Sequence, residues 1–155
     1  MRSIQRLPEL LISQIAAGEV IERPAAAVKE LVENSLDAHA QHIQVWLQEG
    51  GVQRLCVQDD GVGMPPEALA LALMRHATSK IATLDDLHAV ATLGFRGEGL
   101  ASLAAISQLQ LQSRLATMSH GWEIQASGET RQAVKPVSLP TGTRVEAHHL
   151  YFNVP

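Results

Sequence analysis

A single cysteine, Cys56, excludes a disulfide within the chain and makes a reducing compartment the simpler setting. It stands in an alternating apolar run, where a thiol reads as a small buried hydrophobe rather than a nucleophile. Aromatic residues make up only 3% of the chain, which disfavours an aromatic-rich recognition surface; Ala, Leu and Val dominate, and favour helices packed on a sheet. Basic charge is also short. Twelve Lys and Arg against sixteen Asp and Glu give a net charge of -4, and without a basic cluster there is no general nucleic-acid surface. Contact with DNA must be local or lie elsewhere. No apolar run approaches the roughly 18 residues of a membrane span, and the first residues lack a charged-then-apolar leader. The expectation is a soluble, cytoplasmic protein with no membrane contact.

What is present is enough apolar material for one core. Nearly half of the 155 residues are apolar, so a single domain can bury roughly 70% of its unfolded surface. Residues 8–20 read as a short helix, with Leu10, Leu11, Ile15 and Val20 as its stripe. Pro24 opens a second helix, in which Ala27, Val28, Leu31, Val32, Ser35 and Leu36 fill a packing arc opposite Glu30, Glu33, Asn34 and Asp37. Ile43, Val45 and Leu47, then Leu55 and Val57, alternate about Gly50-Gly51 as a hairpin. Pro65-Pro66 starts an Ala/Leu-rich helix to about Arg75, and the glycine cluster 94–99 leads into another, LASLAAIS. From Gln108 the period becomes two, through Leu109, Leu111 and Leu115, then Trp122, Ile124 and Ala126, then Val145. These read as successive antiparallel strands. The whole is an α+β domain with helices layered on one face of a sheet, and no boundary falls inside the chain.

Within that frame, Glu30 and Asn34 lie one above the other on the second helix. A water held by the carboxylate could then sit beside a cation held by the amide oxygen; read alone, the same arc is solvated surface. Asp59-Asp60-Gly61-Val62-Gly63 puts a carboxylate at a strand end before glycines that let the backbone approach a planar ligand, or is a plain turn. It lacks the ligand offsets of an EF-hand. Gly94 to Leu100 sets glycines at a helix start, an anion site or a loop, with neither Walker A nor dinucleotide-fingerprint spacing. Lys80 offers a cation or a solvated side chain. His148 and His149 point oppositely if both lie on a strand, and His39 and His42 lack further ligands at zinc spacing.

Taken in order, KELVENSLDA, DDGVG, HATSK, GFRGEG and TGT resemble the ATP-binding module shared by gyrase-type topoisomerases, Hsp90 chaperones, histidine kinases and MutL-type mismatch-repair proteins. QIAAGEVIERPAAAVKELVENSLDA, RHATSKI and LGFRGEGLAS are closest to the MutL family, over about Leu7 to Pro155. The resemblance implies the Bergerat, or GHKL, fold: a two-layer sandwich of helices on a mixed, mostly antiparallel sheet. It implies ATP and magnesium as ligands, Glu30 as the general base for the attacking water, and Asn34 as the magnesium ligand. Asp59 would accept the adenine amino group, with Thr143 joining it through a water and Gly61 and Gly63 letting the base lie against the backbone. Gly94, Phe95, Arg96, Gly97, Glu98, Gly99 and Leu100 would wrap the triphosphate, beside a lid carrying Thr78, Ser79 and Lys80.

The chain departs from the family at His39, where glycine is usual, at Gly99, where alanine is usual, and at YFNVP in place of LFYNTP. It also implies a truncated ATP-binding domain over residues 1–155, without the transducer-like second subdomain or the C-terminal dimerisation domain. The family's partners would be MutS, a downstream nuclease or helicase, DNA and a second copy of the protein, in a cytoplasmic setting associated with the nucleoid during repair. ATP would order the lid and join two N-terminal regions. Two rivals stay open: an interaction switch that binds nucleotide without hydrolysing it, and a phosphotransferase of the histidine-kinase kind, against which Glu30 argues.

Overall fold

A computed structural model describes residues 24–74 and 99–153. The helix expected over 8–20 lies outside them. Helix α1 (Pro24–Asp37) begins on a proline whose missing N–H costs nothing at a helix start. Its buried line is Ala27, Leu31 and Ser35, spaced four apart. Leu36, expected in the packing arc, is 59% exposed, because a residue one step beyond Ser35 is turned about 100° away. The helix stops in a Schellman motif. The His39 N–H bonds to the Leu36 carbonyl at 3.0 Å and the Ala40 N–H to the Ser35 carbonyl at 3.1 Å.

Among the described residues seven strands form one sheet: β1 (Ile43–Gln48), β2 (Arg54–Asp59), β3 (Gln108–Arg114), β4 (Gly121–Ser127), β5 (Thr130–Arg131), β6 (Lys135–Val137) and β7 (Gly142–His148). The order is β1-β2-β7-β3-β4-β5, with β6 also on β4, and every described pairing is antiparallel. The expected hairpin is β1–β2, closed by a 3₁₀ turn over Glu49–Gly51 instead of a two-residue turn. The late strands are not a simple succession. β7 returns to the centre, between β2 and β3, and β3 ends before Leu115. His149 lies past the end of β7, at φ +55°, so the two histidines do not share a strand.

Helices α2 (Pro66–Ala72) and α3 (Gly99–Ala105) join α1 in the other layer. α2 stops three residues short of the expected Arg75, with Leu73 already at φ -94° and ψ 0°. Between the layers, cross-strand register stacks the apolar side chains in rows. Leu55, Ala147, Leu109 and Ala126 form one, and Val57, Val145, Leu111 and Ile124 the next. The third row reads Asp59, Thr143, Ser113 and Trp122. Polar groups therefore replace aliphatic ones at one end of the helix-covered face. That end is where the site lies.

Candidate functional site

Asp59 closes β2 and receives three hydrogen bonds. Its Oδ1 accepts the Gly61 N–H at 2.8 Å and the Thr143 N–H at 3.2 Å, and its Oδ2 accepts the Ser35 hydroxyl at 2.6 Å. Three donors leave about one of the carboxylate's roughly four lone-pair positions open, so acceptor capacity remains. A small cleft opens beside it, walled by Leu31, Ala38, Val57, Met64 and Val145 and edged by Asn34, Ser35, Asp59, Gly63 and Thr143. Apolar walls with a few convergent polar groups suit a planar heterocycle bearing an amine.

The expected site residues divide according to where the fold puts them. Asn34, Asp59, Gly63 and Thr143 come together at the cleft. Gly63 takes φ +76°, and a Cβ there would stand 2.0 Å from the Arg114 carbonyl oxygen, so no other residue fits. Gly61 instead turns towards α1: its neighbour Val62 donates to the Ala38 carbonyl at 3.0 Å. Glu30, one helical turn before Asn34, brings its carboxylate against Gly99, where a Cβ would come 2.7 Å from Oε2. Glycine at that position leaves the carboxylate more room than alanine would. Leu100 is a core residue, 4% exposed, so its side chain serves packing. Thr78, Ser79, Lys80, Gly94, Phe95, Arg96, Gly97 and Glu98 lie outside the described residues.

The adjacent carboxylate has another task. Asp60 Oδ1 accepts the Gln41 and His42 N–H groups at 2.8 and 2.9 Å, and Oδ2 meets His42 Nδ1 at 2.8 Å. The His42 backbone and side-chain bonds, with that of Gln41, hold the Asp60 pKa down to about 2. Asp60 thus clamps the loop after α1 to the end of β2, and leaves Asp59 to the cleft.

Two participants escape motif reading. Ser35 belongs to the buried line of α1 yet spends its hydroxyl on Asp59; a polar residue inside an apolar arc was the available signal. Ser113, fully buried, accepts the Met64 N–H at 2.8 Å, bonds to the Gly142 carbonyl at 2.9 Å and meets the Thr143 hydroxyl at 2.7 Å. Nothing in its local sequence marks it.

Residues 21–149 match the family described as histidine kinase-, DNA gyrase B-, and HSP90-like ATPase. A DNA mismatch repair protein MutL from Thiobacillus denitrificans is 57% identical over 153 residues, covering 99% of this chain and 26% of that protein. The chain therefore spans about a quarter of the length of such relatives. Among solved structures, the N-terminal domain of a DNA repair protein superposes with a TM-score of 0.80 at 32% identity, over 97% of this chain and 44% of the other. The Aquifex aeolicus MutL ATPase domain complexed with ADP gives 0.64 at 32% identity, over 88% of this chain and 46% of the other. With the sheet order, the cleft and these likenesses together, the chain belongs to the histidine kinase-, DNA gyrase B- and HSP90-like ATPase family, in its MutL mismatch-repair branch.

Proposed function

We propose that this chain binds ATP with magnesium and is the hydrolytic module of a MutL-type mismatch-repair protein. The observation that carries the reading is the meeting of Asp59, Thr143 and Asn34 at one cleft, with Glu30 a helical turn away beside Gly99. Asp59 accepts the adenine amino group, and a water between Thr143 and Asp59 completes recognition of the base. The apolar walls exclude solvent from its faces. ADP bound to the Aquifex relative supports an adenine nucleotide as the ligand class.

Asn34 offers an amide oxygen, a hard neutral donor suited to magnesium, which when bound neutralises charge on the phosphates. Glu30 takes the proton of the attacking water as the bond to the terminal phosphorus forms, and its setting beside Gly99 aims the carboxylate at the start of α3. By the family resemblance Gly94 to Leu100, the last two of which open α3, would meet the phosphates, and Thr78, Ser79 and Lys80 would belong to a lid that ATP orders. In the longer protein, lid closure joins two N-terminal regions and hydrolysis releases them. MutS, a downstream nuclease or helicase, and DNA are the partners of that longer assembly, in the cytoplasm and at the nucleoid.

Calorimetric titration with ATP, with and without magnesium, tests the reading. Asp59→Asn turns an acceptor into a partial donor facing the amine and is expected to weaken binding about 10- to 150-fold, as loss of a hydrogen bond to a charged group of ~1.5–3 kcal/mol implies. Glu30→Ala should keep ATP affinity while abolishing turnover in the longer protein. Turnover at the unmutated rate would remove Glu30 from the base role.

A further inference from the structure

We propose that Ser113 is a positioning residue for base selection: it fixes the direction of the Thr143 hydroxyl, so that Thr143 and Asp59 together turn only acceptors to the cleft. The inference rests on the adenine-nucleotide reading of the cleft, and it follows from counting protons. Ser113 has one hydroxyl proton and two lone pairs. The Met64 N–H takes one lone pair at 2.8 Å, and the proton goes to the Gly142 carbonyl at 2.9 Å, a group that can only accept. The remaining contact, 2.7 Å to Thr143 Oγ1, must then be donated by threonine. With Ser113 fully buried, no solvent competes for these bonds.

The consequence falls on the ligand. Thr143 has spent its proton inside the fold, and what its hydroxyl turns to the cleft is lone pairs. Asp59, one strand over in the same register row, likewise offers only acceptor capacity. A purine with an amine at position 6 meets acceptors with a donor. A 6-oxo purine brings a carbonyl oxygen to the same place, where neither Thr143 nor Asp59 can donate to it, and a water between them gives its two protons to those acceptors. Leaving such a group unpaired is what makes a hydrogen-bonding site discriminate. Ser113 touches no ligand in this account; it acts through Thr143.

Equilibrium titration of the 155-residue chain with ATP and with ITP, which differ at the 6-position, reads the ratio of the two affinities. Ser113→Ala frees the Thr143 proton to turn into the cleft, and the preference for ATP should fall about tenfold, chiefly through tighter ITP binding. A merely structural Ser113 would lower thermal stability and weaken both nucleotides alike, and an unchanged ratio overturns the proposal. Thr143→Val supplies the second arm, and the only one if Ser113→Ala does not fold. It removes the acceptor and should lower the ratio, while Thr143→Ser should retain it; a Thr143→Val ratio equal to the unmutated one is also fatal. In a Thr143→Val background, Ser113→Ala should leave the ratio where Thr143→Val put it. An unmutated chain that binds neither nucleotide defeats the adenine reading itself, and this inference with it. One that prefers ATP but ignores Ser113→Ala defeats the inference alone.

Discussion

The two faces of the sheet each carry a carboxylate at the centre of a polar cluster, and the two are finished differently. On the helix side, Asp59 is held by two backbone N–H groups and the Ser35 hydroxyl. On the opposite side, Glu146 in the central strand β7 meets Arg54 at 3.1 Å, Arg144 at 2.6 Å and the His148 ring. Burial alone would raise the Glu146 carboxyl; hydrogen bonds from Arg54 and His148 and the charges of Arg144 and Arg54 overcome it and hold the pKa down to about 2. Cys56, directly opposite Glu146 in register, has its thiol pushed up by burial beneath the same cluster. Cationic partners neutralise the charge of Glu146, whereas neutral donors fix Asp59 in place and leave its charge for a ligand. Both clusters order the sheet, and the Asp59 cluster is the one set against the apolar cleft.

The largest test of the contrast is a backbone change that reaches the Asp59 cluster alone. Gly142 starts β7 at φ +130°, and a Cβ there would stand 2.0 Å from the Asp59 carbonyl oxygen. Gly142→Ala combines a forbidden conformation with a backbone clash and should cost about 3 kcal/mol or more of stability, read by denaturant unfolding. Refolded protein should also have lost nucleotide affinity, since Thr143 and Asp59 separate. Normal affinity in a stable Gly142→Ala protein would mean that the row Asp59–Thr143–Ser113 is not what holds the site.

A smaller effect is expected from Glu146→Gln, which strands Arg54 and Arg144 without their common partner. With the Glu146 side chain 14% exposed, the loss should be about 2 kcal/mol. ATP affinity should stay within about twofold, because the cluster lies across the sheet from the cleft; a tenfold change would show that the two faces are coupled. Acid sharpens the same comparison. The folded pKa of Glu146, about 2, lies below its ordinary 4.5, so its contribution is present above pH 4.5 and lost as pH falls towards 2. The stability gap between the unmutated protein and Glu146→Gln should therefore narrow across that window. Asp60, also held down at about 2, leaves a residual slope in both proteins.

What the chain discloses unaided follows from how local each feature is. The spacing of Glu30 and Asn34, the Asp59 strand end and the period-two strands need only near neighbours, and the motifs they form carry the family likeness. Sheet order does not. β7 lies between β2 and β3 because Val145 and Ala147 complete rows with Val57 and Leu55 on one side and Leu111 and Leu109 on the other, a fit visible only across 90 or so residues of chain. Ser113 is hidden for the same reason: its partners are Met64, Gly142 and Thr143, and no spacing in its own strand announces them. Leu36 falls outside the buried strip because a broad apolar arc on a helical wheel exceeds what one sheet can cover, and the buried line narrows to Ala27, Leu31 and Ser35.

The smallest expected effect concerns the join between α1 and the cleft, and its sign is opposite to the others. His39 occupies the left-handed position of the Schellman motif at φ +63°, a conformation that favours glycine. A side chain in that conformation costs roughly 1–2 kcal/mol, and glycine gives back about half of the relief through its freer unfolded state. His39→Gly should accordingly stabilise the domain by about 0.5–1 kcal/mol, measured as a rise in the denaturant midpoint with an unchanged slope. Because Val62 still bonds to the Ala38 carbonyl and Asp60 still clamps Gln41 and His42, the loop should stay where it is and nucleotide affinity should not move. Destabilisation by His39→Gly would mean that the exposed imidazole makes a contact outweighing its backbone strain, and that the closing turn of α1 is held by its side chain as well as by its three backbone hydrogen bonds from Ala38, His39 and Ala40.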